Sequence, residues 1–136
     1  DMLMYYDARP RVAYNGLFDF YRSARLPQDY ALYSWENLVT LGTQVKAEVT
    51  DCPDVYVTSA IGENGKAGIL LSFFTNDRNV VEDRKVEIVI NNLDVKESMS
   101  CVTDKFHIHT QVPVEFENGK TSVWMAPNSV IFIEIN

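Results

Sequence analysis

From about residue 55 onward the chain is a series of short apolar runs separated by turn residues. Val55–Val57, Ala67–Phe74, Val86–Ile90, Met99–Thr103, Ile108–Phe116, Thr121–Met125 and Val130–Ile135 are rich in β-branched and aromatic side chains. Such runs at short spacing predict a mainly β fold, an antiparallel β-sandwich. In "KVEIVIN" the alternation places Val86, Ile88 and Ile90 on one face and Glu87, Val89 and Asn91 on the other. In "NSVIFIEI" the core register is Ile131, Ile133 and Ile135, because Glu134 then faces water. The tetrapeptide "ENGK" occurs twice, at Glu63–Lys66 and Glu117–Lys120. Asn-Gly tolerates the positive φ angles that a type I′ turn demands, so both copies predict hairpins.

The first fifty residues read differently. Met2–Tyr6 is a continuous apolar run, the pattern of a strand buried on both faces. Residues 8–26, which carry Pro10 and Gly16, read as an ordered loop with a short helical turn. A helix is expected to begin at Pro27 to Asp29, where proline suits a first turn and an acid suits the positive helix end. Ala31, Trp35, Leu38, Gly42 and Val45 recur at helical spacing, with Leu41 flanking them, and the helix is expected to fade at Lys46–Val49. The domain expectation is thus 1–50 for the strand, loop and helix and 51–136 for the sandwich.

Composition narrows the function classes. The chain has 136 residues, 46% hydrophobic and 23% charged, enough for a core without a metal or disulfide framework. Lysine and arginine number 12 against 19 aspartates and glutamates, a net charge of −7. That balance, without a basic run, argues against nucleic acid and anionic membrane as partners. No apolar stretch nears the roughly 18 residues of a spanning helix. Cys52 and Cys101 admit one disulfide or two buried thiols.

Candidate chemistry is sparse. His107 and His109 in "HIH" share one face of the expected strand, where zinc would need a third ligand such as Glu115 or Glu117 across a hairpin. The simpler reading points Phe106 and Ile108 inward and leaves the histidines outside, so no metal site is assigned. "GENGKA" lacks the glycine spacing and the hydroxyl after Lys66 that a phosphate loop requires. "TNDRNVVED" gathers oxygen donors without the spacing of a helix-flanked calcium loop. No complete catalytic set is present, and no cofactor is expected.

The opening strand is the exception. Tyr5, Tyr6, Asp7 and Arg9 end a buried strand that leads through a loop to a helix, as in one β/α unit of a barrel. Active sites in such barrels lie at the C-terminal strand ends. The same residues also fit an N-terminal strand of the sandwich in which Asp7 and Arg9 pair with each other.

"DMLMYYDARP", "YNGLFDFY", "YALYSWENLVTLGTQV" and the closing "MAPNSVIFIEI" resemble the C-terminal end of clan-A (β/α)₈ glycoside hydrolases, most closely the family 39 β-xylosidase-like enzymes. The resemblance implies that Met2–Tyr6 is the eighth barrel strand, residues 29–46 the eighth barrel helix, and the rest an accessory sandwich packed on an upstream catalytic domain. It places Tyr6, Asp7, Arg9 and Asn15 near bound carbohydrate. It puts the two catalytic glutamates of the retaining mechanism upstream, leaving no catalytic residue in this chain. Trp35 and its apolar neighbours are expected at the barrel-facing interface, or buried by homo-oligomer contacts in its absence. A carbohydrate-binding module, using Tyr56, Phe73, Phe74 or Trp124, is the rival expectation, and a free-standing interaction domain is a third.

Overall fold

The structure, a computed structural model, describes residues 17, 18, 24–63 and 65–136. Among the described residues, helix α1 (Pro27–Thr40) precedes eight strands: β1 (Thr43–Val45), β2 (Val55–Ile61), β3 (Ala67–Phe73), β4 (Arg84–Val89), β5 (Ser98–Thr103), β6 (Thr110–Pro113), β7 (Lys120–Met125) and β8 (Ser129–Ile135). Six of them form an antiparallel sheet in the order β1-β2-β3-β8-β5-β6, while β4 and β7 pair as a separate two-stranded ribbon. The architecture is mainly β, a sandwich of sheet and ribbon, with α1 on the sheet's other face.

Alternation along the strands makes the two apolar layers. Val55, Ile69, Leu71, Phe73, Ile131, Ile133 and Ile135 turn inward from the large sheet to meet Val86, Ile88 and Met125 of the ribbon. Ile133 and Met125 have no solvent-accessible surface. Arg84 closes one end of this core with its guanidinium 4.7 Å from the Phe73 ring centroid and 3.6 Å from the Asp54 carboxylate. Two hydroxyls of β5 are satisfied locally: Ser100 Oγ donates to the Val112 carbonyl at 2.8 Å and Ser98 Oγ to that of Val114 at 2.5 Å, whereas the buried Ser129 Oγ has no hydrogen-bond partner among the described residues.

The opposite face of β8 presents Phe132, which with Ala60, Leu38, Trp35, Leu41 and Leu70 forms the smaller layer beneath α1. Gly68 permits this approach. A Cβ there would lie 2.8 Å from Leu41 Cδ1 and 3.0 Å from the Phe132 ring. Trp35, expected at an open interface, is instead partly buried in this layer. The sheet edges are short, and every residue of β1 and β6 is exposed. Pro113 in β6 follows the rule that proline is tolerated where no ladder bond is required.

Three boundaries differ by several residues from the sequence reading; one is that of β2, which runs to Ile61 instead of ending at Val57. The helix ends at Thr40, because Gly42 adopts φ +99 and its N–H closes onto the Val39 carbonyl at 3.1 Å. Val45 therefore leaves the helix face and lies exposed on β1, whose residues pair with Ser59–Ile61. The expected strand Ile108–Phe116 is shortened to β6, since residues 104–109 form a loop and Val114 turns into the core.

The repeated tetrapeptide makes two different turns. In the second copy Asn118 and Gly119 both have positive φ, 53 and 74, and Glu117 and Lys120 exchange backbone bonds at 2.9 and 3.0 Å, as a type I′ turn requires. The first copy connects β2 and β3 through a wider closure. Gly62 N–H donates to the Lys66 carbonyl, Gly65 N–H donates back to Gly62, and Gly65 sits at φ +82.

Candidate functional site

Tyr6, Asp7, Arg9 and Asn15 lie outside the described residues, as does the strand expected at Met2–Tyr6. Two other places gather polar and aromatic side chains: the end of α1 nearest the β5–β6 loop, and the outer face of the β4–β7 ribbon.

The histidines at the first place do not share a strand face. Residues 104–109 form a loop that presents Phe106 and Ile108 to solvent and folds His109 back onto α1, the reverse of the orientation expected for those three, while His107 is exposed as expected. The His109 ring stacks on Tyr30 at 5.3 Å and meets Tyr33 edge-on at 5.4 Å. Arg25, ion-paired with Asp29, lies against both tyrosines, 4.6 and 5.3 Å from their ring centroids. His109 holds φ 51, and its buried Nδ1 has no hydrogen-bond partner. His107 instead contacts the Asp104 carboxylate at 3.0 Å, while Asp104 Oδ1 accepts the N–H groups of Phe106 and His107 at 2.7 Å each. Among the described residues, no three His, Cys, Asp or Glu side chains come together as a metal set.

Electrostatics make the His109 and Asp104 contacts acid-sensitive. Burial, reinforced by the nearby Arg25 charge, pushes the His109 ring below its ordinary pKa of 6.5. Burial alone would raise the Asp104 carboxyl, but the His107 ring and the two loop N–H groups outweigh it and hold Asp104 below 3.8. In both cases the unfolded chain binds protons more readily than the folded one, so stability declines as the pH drops. The His109 contribution is complete above about pH 6.5 and fades as pH drops through its lowered value, and the Asp104 contribution fades further down. Thermal melts between pH 7.5 and 5 should therefore show a declining midpoint, and His109→Phe should flatten that decline. A pH profile unchanged by the substitution would refute the assignment.

On the ribbon, three cross-strand pairs face outward: Lys85 with Trp124, Glu87 with Ser122, and Val89 with Lys120. Trp124 is 65% exposed, although it falls in a run that reads as core. The signal lies in the strand's period of two, because Val123 and Met125 turn inward and leave Trp124 outside. Glu115 and Glu117 rise beside the ribbon, and together with Lys85, Glu87, Lys120 and Ser122 they line an open groove of about 580 Å³. Tyr56 and Phe74 are also exposed, at 59% and 55%. The β2–β3 register puts Tyr56 on the α1 side of the large sheet, remote from Trp124, so the exposed aromatics do not form one row.

The remaining candidates resolve as structural features. In "TNDRNVVED" the Asp77 carboxylate accepts the Asn79 N–H at 2.9 Å, and Thr75 N–H reaches Asn128 Oδ1 at 3.1 Å, so the loop spends donors and acceptors on its own conformation. Cys52 packs against the main core, whereas Cys101 pairs with Phe132 on the opposite face of the sheet, and both thiols are free. Burial pushes the Cys101 thiol up, and the Glu134 charge adds to this.

No family model matches the sequence, and no curated protein matches it. Solved structures do. A glycoside hydrolase family 30 endoxylanase from Clostridium papyrosolvens superposes with a TM-score of 0.73 at 20% identity, covering 90% of this chain. A family 30 subfamily 8 xylanase from Clostridium acetobutylicum gives 0.72 at 17% identity over 90%. The catalytic domain of family 30 xylanase C from Talaromyces cellulolyticus gives 0.65 at 10% identity over 96%. The chain has a fold found in glycoside hydrolases. It spans 30%, 31% and 29% of the length of those three chains. At these identities the likeness carries the backbone arrangement and leaves the chemistry to the residues themselves.

Proposed function

We propose that this chain is the C-terminal part of a retaining clan-A glycoside hydrolase, with an accessory β-sandwich over residues 51–136. In this reading residues 1–50 are the last β/α unit of the catalytic barrel. The observation that carries it is the backbone match over nine-tenths of the chain against under a third of each xylanase. The packing of α1 on the sheet through Leu38, Leu41 and Phe132 adds support, since it gives the helix and sandwich a common apolar layer. The catalytic glutamates then lie upstream, and Tyr6, Asp7, Arg9 and Asn15 face the sugar from the end of the last strand. The motif likeness points to family 39 and the backbone likeness to family 30. Both lie in the same clan, and the names of the family 30 neighbours make xylan the first substrate to assay.

The experiment is to size the native polypeptide with an antibody raised against this chain, then purify it and assay it on xylan and aryl glycosides. The expected result is a band several times heavier than 15.5 kDa with glycosidase activity, while the 136-residue chain alone has none. A band at 15.5 kDa would overturn the reading and favour a free-standing interaction domain, and a heavier polypeptide inactive on every glycoside tried would overturn the hydrolase assignment.

A further inference from the structure

We propose that the outer face of the β4–β7 ribbon binds a neutral polysaccharide, with Trp124 as its stacking platform. This inference does not depend on an upstream barrel, because every residue it uses belongs to this chain. Burial of an indole is worth far more than burial of a small side chain, yet Trp124 stands 65% exposed on a strand whose inward positions are well filled. Its neighbours are hydrogen-bonding groups. Lys85 is its direct cross-strand partner, Glu87 and Ser122 form the next pair, and Lys120 ends the row opposite Val89. At about 3.4 Å per residue the row from Lys85 to Val89 extends for about 14 Å, flanked by Glu115 and Glu117 along the open groove; Lys85 and Glu87 lie 3.9 Å apart within it, and Trp124 stands outside the groove's lining, across the ladder from Lys85.

The chemistry of this face selects its occupant. Lysines and glutamates interleave, so neither a polyanion nor a polycation finds a complementary field. A stable protein partner needs an apolar centre within roughly 800 Å² per side. Here one aromatic ring and Val89 stand in a charged frame. A pyranose chain matches both features. Its C–H faces pack on a flat indole, and its hydroxyls donate to the carboxylates of Glu87, Glu115 and Glu117 and accept from Lys85 and Lys120. The open groove suits a linear polymer rather than a small molecule, which needs enclosure to bury most of its surface.

The test is native affinity electrophoresis of the full chain in gels containing arabinoxylan, xyloglucan or mixed-linkage β-glucan. At least one polymer should retard the chain, and Trp124→Ala should weaken that retardation about tenfold, as expected for loss of a stacked ring. Trp124 is exposed, so the variant should keep its circular dichroism spectrum. Glu87→Gln should weaken binding less, and Tyr56→Ala, on the far face, should leave it unchanged. No retardation by any polymer, retardation indifferent to Trp124→Ala, or a Trp124-dependent dimer in light scattering would each overturn the proposal. An inactive parent polypeptide that still binds through Trp124 would sink the hydrolase reading and leave this one standing.

Discussion

Replacing Ile133 with alanine is expected to lower the unfolding free energy by about 2–5 kcal/mol. Ile133 occupies the middle of β8, which runs between β3 and β5 in the large sheet, and its side chain is fully buried in the main core. Its register partners are Ile69 on one side and Ser100 on the other, both buried, so the cavity left behind has little room to collapse. Against the roughly 5–15 kcal/mol that holds a domain of this size, such a loss is severe. Urea titration should show the transition at lower denaturant with unchanged slope, and thermal melts should shift by roughly 6–20 °C. The next position is the control. Glu134 is exposed and meets Lys66 at 3.5 Å across the surface, so Glu134→Ala should cost under about 1 kcal/mol. Equal effects at the two positions would mean that β8 does not alternate as described.

That contrast also explains how much of the fold is legible in the sequence. The Ile131, Ile133 and Ile135 face is readable because a single glutamate in a run of apolar residues fixes the register. The same rule, applied to Val123 and Met125, puts Trp124 outside, although an indole in an apolar run invites the opposite reading. Phe132 is harder to place. β8 is covered on both faces, and the second cover is a helix from far earlier in the chain, which meets the sheet at Gly68. Nor does alternation say that β4 and β7 leave the main sheet, because long-range pairing decides which strands share a ladder.

The sequence misleads where a local signal is outweighed. Gly42 falls at helical spacing on the apolar face, but its positive φ stops the helix and frees Thr43–Val45 to pair with β2. "HIH" alternates like a strand, yet Tyr30 and Tyr33 draw His109 out of that pattern from a distant part of the chain. Nothing near His109 in the sequence signals those contacts. The ribbon groove is partly legible for the same reason: its outward residues follow from period two, whereas the approach of Glu115 and Glu117 depends on the turn before β7.

That turn carries the second large prediction. Gly119→Ala should destabilise the chain by about 2 kcal/mol or more, through two separable causes. The first is conformational, because φ 74 is a left-handed setting that costs an L side chain roughly 1–2 kcal/mol. The second is steric. A Cβ at Gly119 would sit 2.8 Å from the Ile90 carbonyl oxygen, and that contact is with backbone, which cannot swing aside. Ile90 is also tied to the glycine by its own N–H, which donates to the Gly119 carbonyl at 2.8 Å, so relief of the clash strains the join between β4 and β7. The other copy of the tetrapeptide separates the causes. Gly65 has φ 82, but a Cβ added there would meet nothing within 4 Å, so Gly65→Ala incurs the conformational cost alone. Urea denaturation of the two variants should therefore differ by about 1 kcal/mol or more, with Gly119→Ala the weaker. Because Gly119 borders the ribbon, its substitution should also reduce polysaccharide retardation, while Gly65→Ala should not. Equal stability losses at the two glycines would mean that φ alone governs both turns, and that the backbone contact with Ile90 is not what seats the ribbon.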